Sequence, residues 1–331
     1  MPKLPSSRPR AITLSHSAIG QDSPFFTRLP LEMREKVYLN AFGRRSIHID
    51  LCFDHVDFFG PGHANLRTPF FKDASTPKEW RWWSCVCHRM QKEVNSELFV
   101  LAFWLDRCRS GEQTYCQWVF ADKSECFVGA LGWLLSCHQA YSESISIMYS
   151  TNTFYLGQHV GEPLLFQNID SLFLPQRLAS MKSLELAWNF DHFGPKAACP
   201  DTGKPIFDTF LNTLTSNFPN LTKVHIEVQT ENYVQERLGA SLQPEESLLS
   251  TVIFPMDQMI AHFGTQLRFC ELIVGWSYYQ ALRKALGESN SVETLFQSTS
   301  TRKFHRHADN GEGALEYWAG YLPDIIYFAH Q

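Results

Sequence analysis

Apolar residues recur at two different spacings along this chain, and the changes between them predict its elements. In "SPFFTRLPLEMREKVYLNAFG" (residues 23–43), Leu31, Arg34, Val37, Tyr38 and Ala41 stand three and four apart, the stripe of an amphipathic helix. Pro30 suits a first helical turn, where its missing N–H would be unbonded anyway. Glu32 and Glu35 suit the positive end of the helix dipole, and Gly43 is a natural stop. Phe25 and Phe26 precede the helix and are placed to pack back on it. The next segment, "SIHIDLCF", alternates Ile47, Ile49 and Leu51 with His48, Asp50 and Cys52, the period of a half-buried strand.

Residues 54–79 are rich in Gly, Pro and Phe without a period and predict a long loop. "EWRWWSCVCHRMQKEVNSELFV" has an apolar first half and a helical second half. The apolar run at residues 127–137 reads as a buried helix, followed by a helix from about Gln139 to Tyr149 and a strand at 153–156. "SLELAW", "KVHIEV" and "CELIVG" are further strands. "IFDTFLNTLTSNF" and "EESLLSTVIFPMDQMIAHFG" are helical, the second interrupted by Pro255. "LASMKSLELAW" and "FPNLTKVHIEV" resemble each other, which implies irregular βα units laid side by side. The fold class is therefore α/β (or α+β), with a leucine-rich-repeat-like half-shell as one form of it. Three regions follow: a Pro/Ser/Arg-rich disordered tail at 1–22, a helical region with an inserted strand and loop at 23–160, and an α/β region at 161–331. The last two are expected to pack as one unit.

Composition narrows the function classes. Hydrophobic residues make up 44% and charged residues 19% of 331, a globular balance with a core ample for autonomous folding. The net charge of -5 offers no global attraction for nucleic acid. No apolar run reaches the ~20 residues that span a bilayer, so a membrane is not expected. The tail residues Lys3, Arg8 and Arg10 form neither an export signal nor a dense nuclear signal, and the expected location is cytoplasmic or nuclear. Nine cysteines, an odd number in a long chain, read as reduced thiols, which leaves the sequon Asn220-Leu221-Thr222 unmodified.

Candidate chemistry is sparse. Cys85, Cys87 and His88, with Cys108, Cys116 and Cys126, raise a zinc site, but C-x-C-H lacks the usual ligand spacing, and no metal or cofactor is expected. Ser136, Cys137 and His138 are adjacent on a helix, so their side chains diverge by about 100°. Glu245 and Glu246 fit a helix start. His305 and His307, around Arg306, read as a solvated basic loop, with Asn310, Gly311 and Gly313 marking turns. Trp80, Trp82 and Trp83 beside Arg81 and Arg89 are expected in the core, or else as a partner-binding surface.

"SPFFTRLPLEMREKVYLNAFG", "IHIDL", "WRWWSCVCHR" and "LLSCHQAYSESISIMYSTNTF" together resemble a large family of uncharacterised fungal proteins. Its members carry a domain of unknown function and open with an F-box-like helix of the pattern LP-x-E-x-R-x-x-(V/I)-Y. The resemblance covers roughly residues 23–190. It implies docking onto the adaptor subunit of a cullin-type ubiquitin ligase through Leu29, Pro30, Leu31, Val37 and Tyr38, while the α/β units capture a target protein. Unlike an F-box, this chain places a strand and a long loop between its first helix and "LLSCHQAY". The expectation is a non-enzymatic interaction module. The alternatives are a scaffold without a ligase link, or an enzyme with a non-local site around His48, Asp50, Cys87 and His88.

Overall fold

The alternating segments of the chain meet in one mixed sheet. A computed structural model describes residues 23–54, 75–87, 93–94, 97–98, 128–156, 168–189, 206–229, 249–274, 279, 282, 302–309 and 314–321. Its strands are β1 (Ser46–Asp54), β2 (Glu79–Val86), β3 (Glu93–Val94), β4 (Glu97–Leu98), β5 (Thr153–Leu156), β6 (Ser183–Asn189), β7 (Lys223–Gln229), β8 (Phe269–Val274), β9 (Arg302–Asp309) and β10 (Ala314–Tyr321). Among the described residues, eight of these form a sheet of order β2-β1-β5-β6-β7-β8-β10-β9, and β3 pairs with β4 alone. β1, β5, β6, β7, β8 and β10 run parallel and in chain order, and the antiparallel strands β2 and β9 flank them. The fold is α/β, and its sheet draws strands from both sides of residue 160.

The helices are α1 (Pro24–Arg28), α2 (Leu31–Phe42), α3 (Leu131–Leu134), α4 (His138–Thr151), α5 (Ile169–Leu172), α6 (Pro175–Leu178), α7 (Ile206–Asn217) and α8 (Phe254–Phe263). Parallel neighbours taken in order, each joined by a crossover of the same hand, bring their helices to one face. The core shows this. Leu184, Leu186 and Trp188 of β6, Val224, Ile226 and Val228 of β7, and Leu272 and Val274 of β8 pack against the helices. From α7 come Phe207, Phe210, Leu211 and Leu214, with Phe218 just past its end, and from α8 Met256, Met259, Ile260 and Phe263. Trp188 lies 4.6 Å from the Phe210 ring. The opposite face is buried as well, as a parallel sheet requires.

Asn152 joins the helical end of the chain to the sheet. Its Oδ1 accepts from the Arg45 backbone N–H at 2.8 Å, and its Nδ2 donates to the carbonyls of Phe42 and Met148 at 2.7 Å each. One buried amide thus closes α2, closes α4 and opens β1. Asn152→Ala removes all three bonds and should cost about 2–3 kcal/mol, read as a lower urea midpoint at unchanged slope. Gly43 ends α2 in extended backbone, and its role is close approach. A Cβ there would lie 2.6 Å from Thr151 Oγ1 and 2.9 Å from the Leu39 carbonyl. The left-handed residue at this turn is Arg44, at φ 57.

Four sequence expectations change, and one open segment is decided. The buried stripe of α2 is Arg34, Tyr38 and Phe42, while Leu31 and Val37 face outward, because Arg34 and Tyr38 are drawn in by a carboxylate on α4. Residues 128–137, the described part of the expected buried helix, hold the short helix α3 instead: Gly129 takes φ 69 and Leu131 is 69% exposed. "EWRWWSCV" is a strand paired with β1. Residues 302–309 form a strand in a hairpin with β10, their alternation outweighing their charge. At Pro255 the chain remains helical. The proline sits in the first turn of α8, and the preceding turn widens to a π-helix at Leu249–Ile253, where a missing backbone donor is accommodated.

Candidate functional site

Two Ser/Leu-Pro steps shape the helical end of the chain. Ser23 caps α1 by accepting from the Phe25 N–H, and Pro30 opens α2, its carbonyl accepting from Met33 and Arg34 at 3.1 Å. The short α1 lays its aromatic rings across α2 and α3. Phe25 meets Tyr38 at 5.8 Å and Trp133 at 5.1 Å, and Phe26 stacks on Trp133 at 5.9 Å. Tyr38, Phe42 and Ala130 form the centre of this small core, with Phe25, Trp133, Leu134, Ile147 and Met148 around it.

A carboxylate on α4 holds α2 from behind. Arg34 grips Glu143 with both arms, Nε to Oε2 and Nη2 to Oε1, each at 2.8 Å. Arg34 Nη1 also donates to the carbonyls of Phe26 and Leu29. Tyr38 Oη donates to Glu143 Oε2 at 2.8 Å, and Gln139 Nε2 to Oε1 at 2.8 Å. Desolvation works to raise the Glu143 pKa, but the hydrogen bonds from Arg34, Gln139 and Tyr38 outweigh it and hold the carboxyl below its usual range. Burial, then the bonded carboxylate, push the Tyr38 phenol well above its ordinary value. Because the depressed pKa belongs to an acid, the stability it contributes is present at neutral pH and is lost only as pH falls through the folded value.

The outer side of this lobe carries exposed apolar residues among polar ones such as Glu32, Glu35 and Lys36. Leu29, Leu31, Met33, Val37, Leu131 and Leu135 are all exposed; of the eight large hydrophobic residues exposed among the described residues, only Phe254 and Phe269 lie elsewhere. Met33 and Val37 are one turn apart on α2. Leu131 and Leu135 are one turn apart at α3, and Trp133, between them in sequence, packs inward.

A second polar feature crosses the sheet on the face away from the helices. The register places Cys85, His48, Tyr155, Glu185, His225 and Glu271 in one lateral row, which continues to Trp318 and His305. His48 and Tyr155 rings are 4.4 Å apart. His225 Nδ1 lies 2.7 Å from Glu271 Oε2, and both residues are buried. Desolvation lowers the His225 pKa, but the bond to Glu271 and the fields of Glu271, Glu185 and Glu227 raise it by more, so it stands above the ordinary imidazole value.

Of the docking candidates, Leu29, Pro30, Leu31 and Val37 are exposed at the lobe and Tyr38 is buried within it. Trp80 is half-buried against the main core. Trp82 and Trp83 stand at register positions opposite Leu51 and Asp50, and for these four the backbone alone is described, as it is for His305 and His307. Cys85 and Cys87 are half-buried cysteines that form no disulfide, Cys85 opposite His48 in the ladder and the Cys87 N–H donating to the Ser46 carbonyl at 2.8 Å. His88, Cys108, Cys116, Cys126, Glu245, Glu246, the turn at 310–313 and the tail at 1–22 lie outside the described residues. Among the described residues no group of three or more His, Cys, Asp or Glu side chains could hold a metal ion, and no helix is long and apolar enough to cross a membrane. Cys137 caps α4, its Sγ accepting from the Ala140 N–H at 3.3 Å, and Ser136 Oγ donates to the Trp133 carbonyl at 2.7 Å. Glu143 and the Glu185–His225–Glu271 row escaped sequence reading. Their signals were an arginine inside an apolar stripe and ionisable residues alternating within strands of a two-sided sheet.

The matched family spans the helical lobe and the part of the polar row that precedes β8. A domain of unknown function, DUF7730, matches residues 19–252. The chain belongs to this family. The match runs from α1 through β7 into the π-helical turn, so the family comprises the helical lobe and the sheet as far as β7. No curated protein and no solved structure matched the chain.

Proposed function

We propose that this protein is a non-enzymatic interaction module, F-box-like at its N-terminal end, which docks onto the adaptor subunit of a cullin-type ubiquitin ligase and presents a target from its sheet. The observation that carries this reading is the collection of six exposed apolar residues on one small helical lobe, held from behind by the Arg34–Glu143–Tyr38 network. An outward apolar patch on rigid helices is the form a docking surface takes. The motif LP-x-E-x-R-x-x-V-Y gains a physical division of labour in this reading. Arg34 and Tyr38 hold the helix, and Leu29, Leu31 and Val37 are offered to the partner. The helices that chain order separates also lie together, since α2 and α4 bond through residues 109 positions apart. This supports the F-box-like reading and the fungal lineage that goes with it, and such a role belongs in the cytoplasm or nucleus.

The test is calorimetric titration of the purified full chain with the purified adaptor subunit. Wild type should bind, and Leu31→Asp and Val37→Asp should each weaken binding by at least about 30-fold, the size of a hot-spot loss. Absence of wild-type binding, or equal binding by both variants, would overturn the ligase role.

A further inference from the structure

We infer that strand β9 binds an extended acidic segment of a partner protein by taking it up as an additional strand. β9 stands at the end of the sheet order, and all eight of its residues pair with β10 on one side. Among the described residues no strand lies on its other side. An antiparallel strand directs only part of its backbone donors and acceptors toward one neighbour, so the outer row of β9 is a template for another chain. At eight residues it exceeds the usual strand of about five or six, and it contains no proline or glycine to break an added ladder.

Charge identifies the occupant. "RKFHRHAD" carries Arg302, Lys303 and Arg306 with the imidazoles of His305 and His307, against the single acid Asp309. The whole chain has net charge -5, so this concentration runs against its overall balance. One lysine suffices to guard an edge against aggregation, whereas five basic residues among the first six exceed a guard. An acidic strand meets that charge with opposite-sign cross-strand pairs. A nucleic acid shares the charge but has no N–H and C=O row with which to extend the sheet, and the net negative charge of the protein opposes it.

The position also suits a second partner. The helical lobe is tied through Asn152 to β1 and β5. From β1 to β9 there are six strand spacings, roughly 29 Å at about 4.8 Å each. An acidic segment on β9 therefore leaves the lobe free. The inference deepens the target-presenting half of the proposed function, yet it stands or falls separately from adaptor binding.

The experiment uses the full chain and fluorescently labelled synthetic peptides of the length of β9. One alternates Glu with Val and Thr, a second has the same composition with a central proline, and an oligonucleotide of matched charge is the third probe. The alternating peptide should bind with added amide protection at residues 302–309, and the proline peptide should bind at least about tenfold more weakly. Lys303→Glu with Arg306→Glu should weaken binding by at least about tenfold, and Lys303→Gln with Arg306→Gln, the milder pair for folding, by a smaller factor in the same direction. The inference is overturned if the alternating peptide fails to bind, if the proline peptide binds equally, or if the oligonucleotide binds more tightly.

Discussion

Tyr38→Ala should lower stability by about 3–5 kcal/mol, while Val37→Asp, one position earlier, should change it by no more than about 0.5 kcal/mol. The two residues differ in what they touch. Tyr38 is 1% exposed, at the centre of the ring cluster with Phe25 and Trp133, and its hydroxyl donates to Glu143. Its loss opens a cavity and removes one bond from a half-buried carboxylate. Val37 is 45% exposed and meets solvent. Tyr38→Phe separates the two contributions: it keeps the ring and removes the bond to a charged acceptor, for an expected cost of about 1.5–3 kcal/mol. Urea unfolding of the three variants measures this order directly. Equal effects of Tyr38→Ala and Val37→Asp would mean that α2 is not held by the face assigned to it.

The second large effect is expected at the polar row of the sheet. Glu271→Ala strips His225 of its bonded partner inside a buried face and should cost about 3 kcal/mol near pH 6. The sign of its pH dependence follows from the raised pKa of His225. A histidine whose folded pKa exceeds its unfolded value contributes stability that is fully present below about 6.5 and is lost as pH rises through the folded value. The gap between wild type and Glu271→Gln, which keeps an acceptor but removes the charge, should therefore be widest at mildly acid pH and narrow on the alkaline side. A gap that widens with rising pH would show that His225 is held neutral. NMR titration of the His225 ring in wild type and Glu271→Gln reads the same shift at the group itself.

The central strands were legible because their sequences carry the sheet period twice over. Leu184, Leu186 and Trp188 mark one face of β6, and the repeat of that pattern in "KVHIEV" and "CELIVG" marks its neighbours. α7 was legible for the same reason at a different period, with Phe210, Leu211 and Leu214 standing three, four and seven positions after Phe207. β9 and β10 were not, because basic residues and nearby glycines in "RKFHRHADNGEG" outweigh a weak alternation when only local composition is read. The candidate site was half legible. The pattern around Leu29, Pro30, Leu31, Val37 and Tyr38 located the helix, but a stripe of period 3.6 does not say which flank another element will take. That choice was made by Glu143, 109 positions away, whose bonds to Arg34 and Tyr38 rotate the helix so that Val37 faces out. Nor could the pairing of His225 with Glu271 be read, since it depends on the register of β7 against β8.

Hydrogen exchange of the full chain with and without the ligase adaptor subunit tests the central claim most directly, because it reports where docking occurs as well as whether it does. Slowed amide exchange is expected at residues 29–37 and 131–135, with β9 unchanged. Binding that protects other segments, or leaves the helical lobe exchanging as in the free protein, would contradict it.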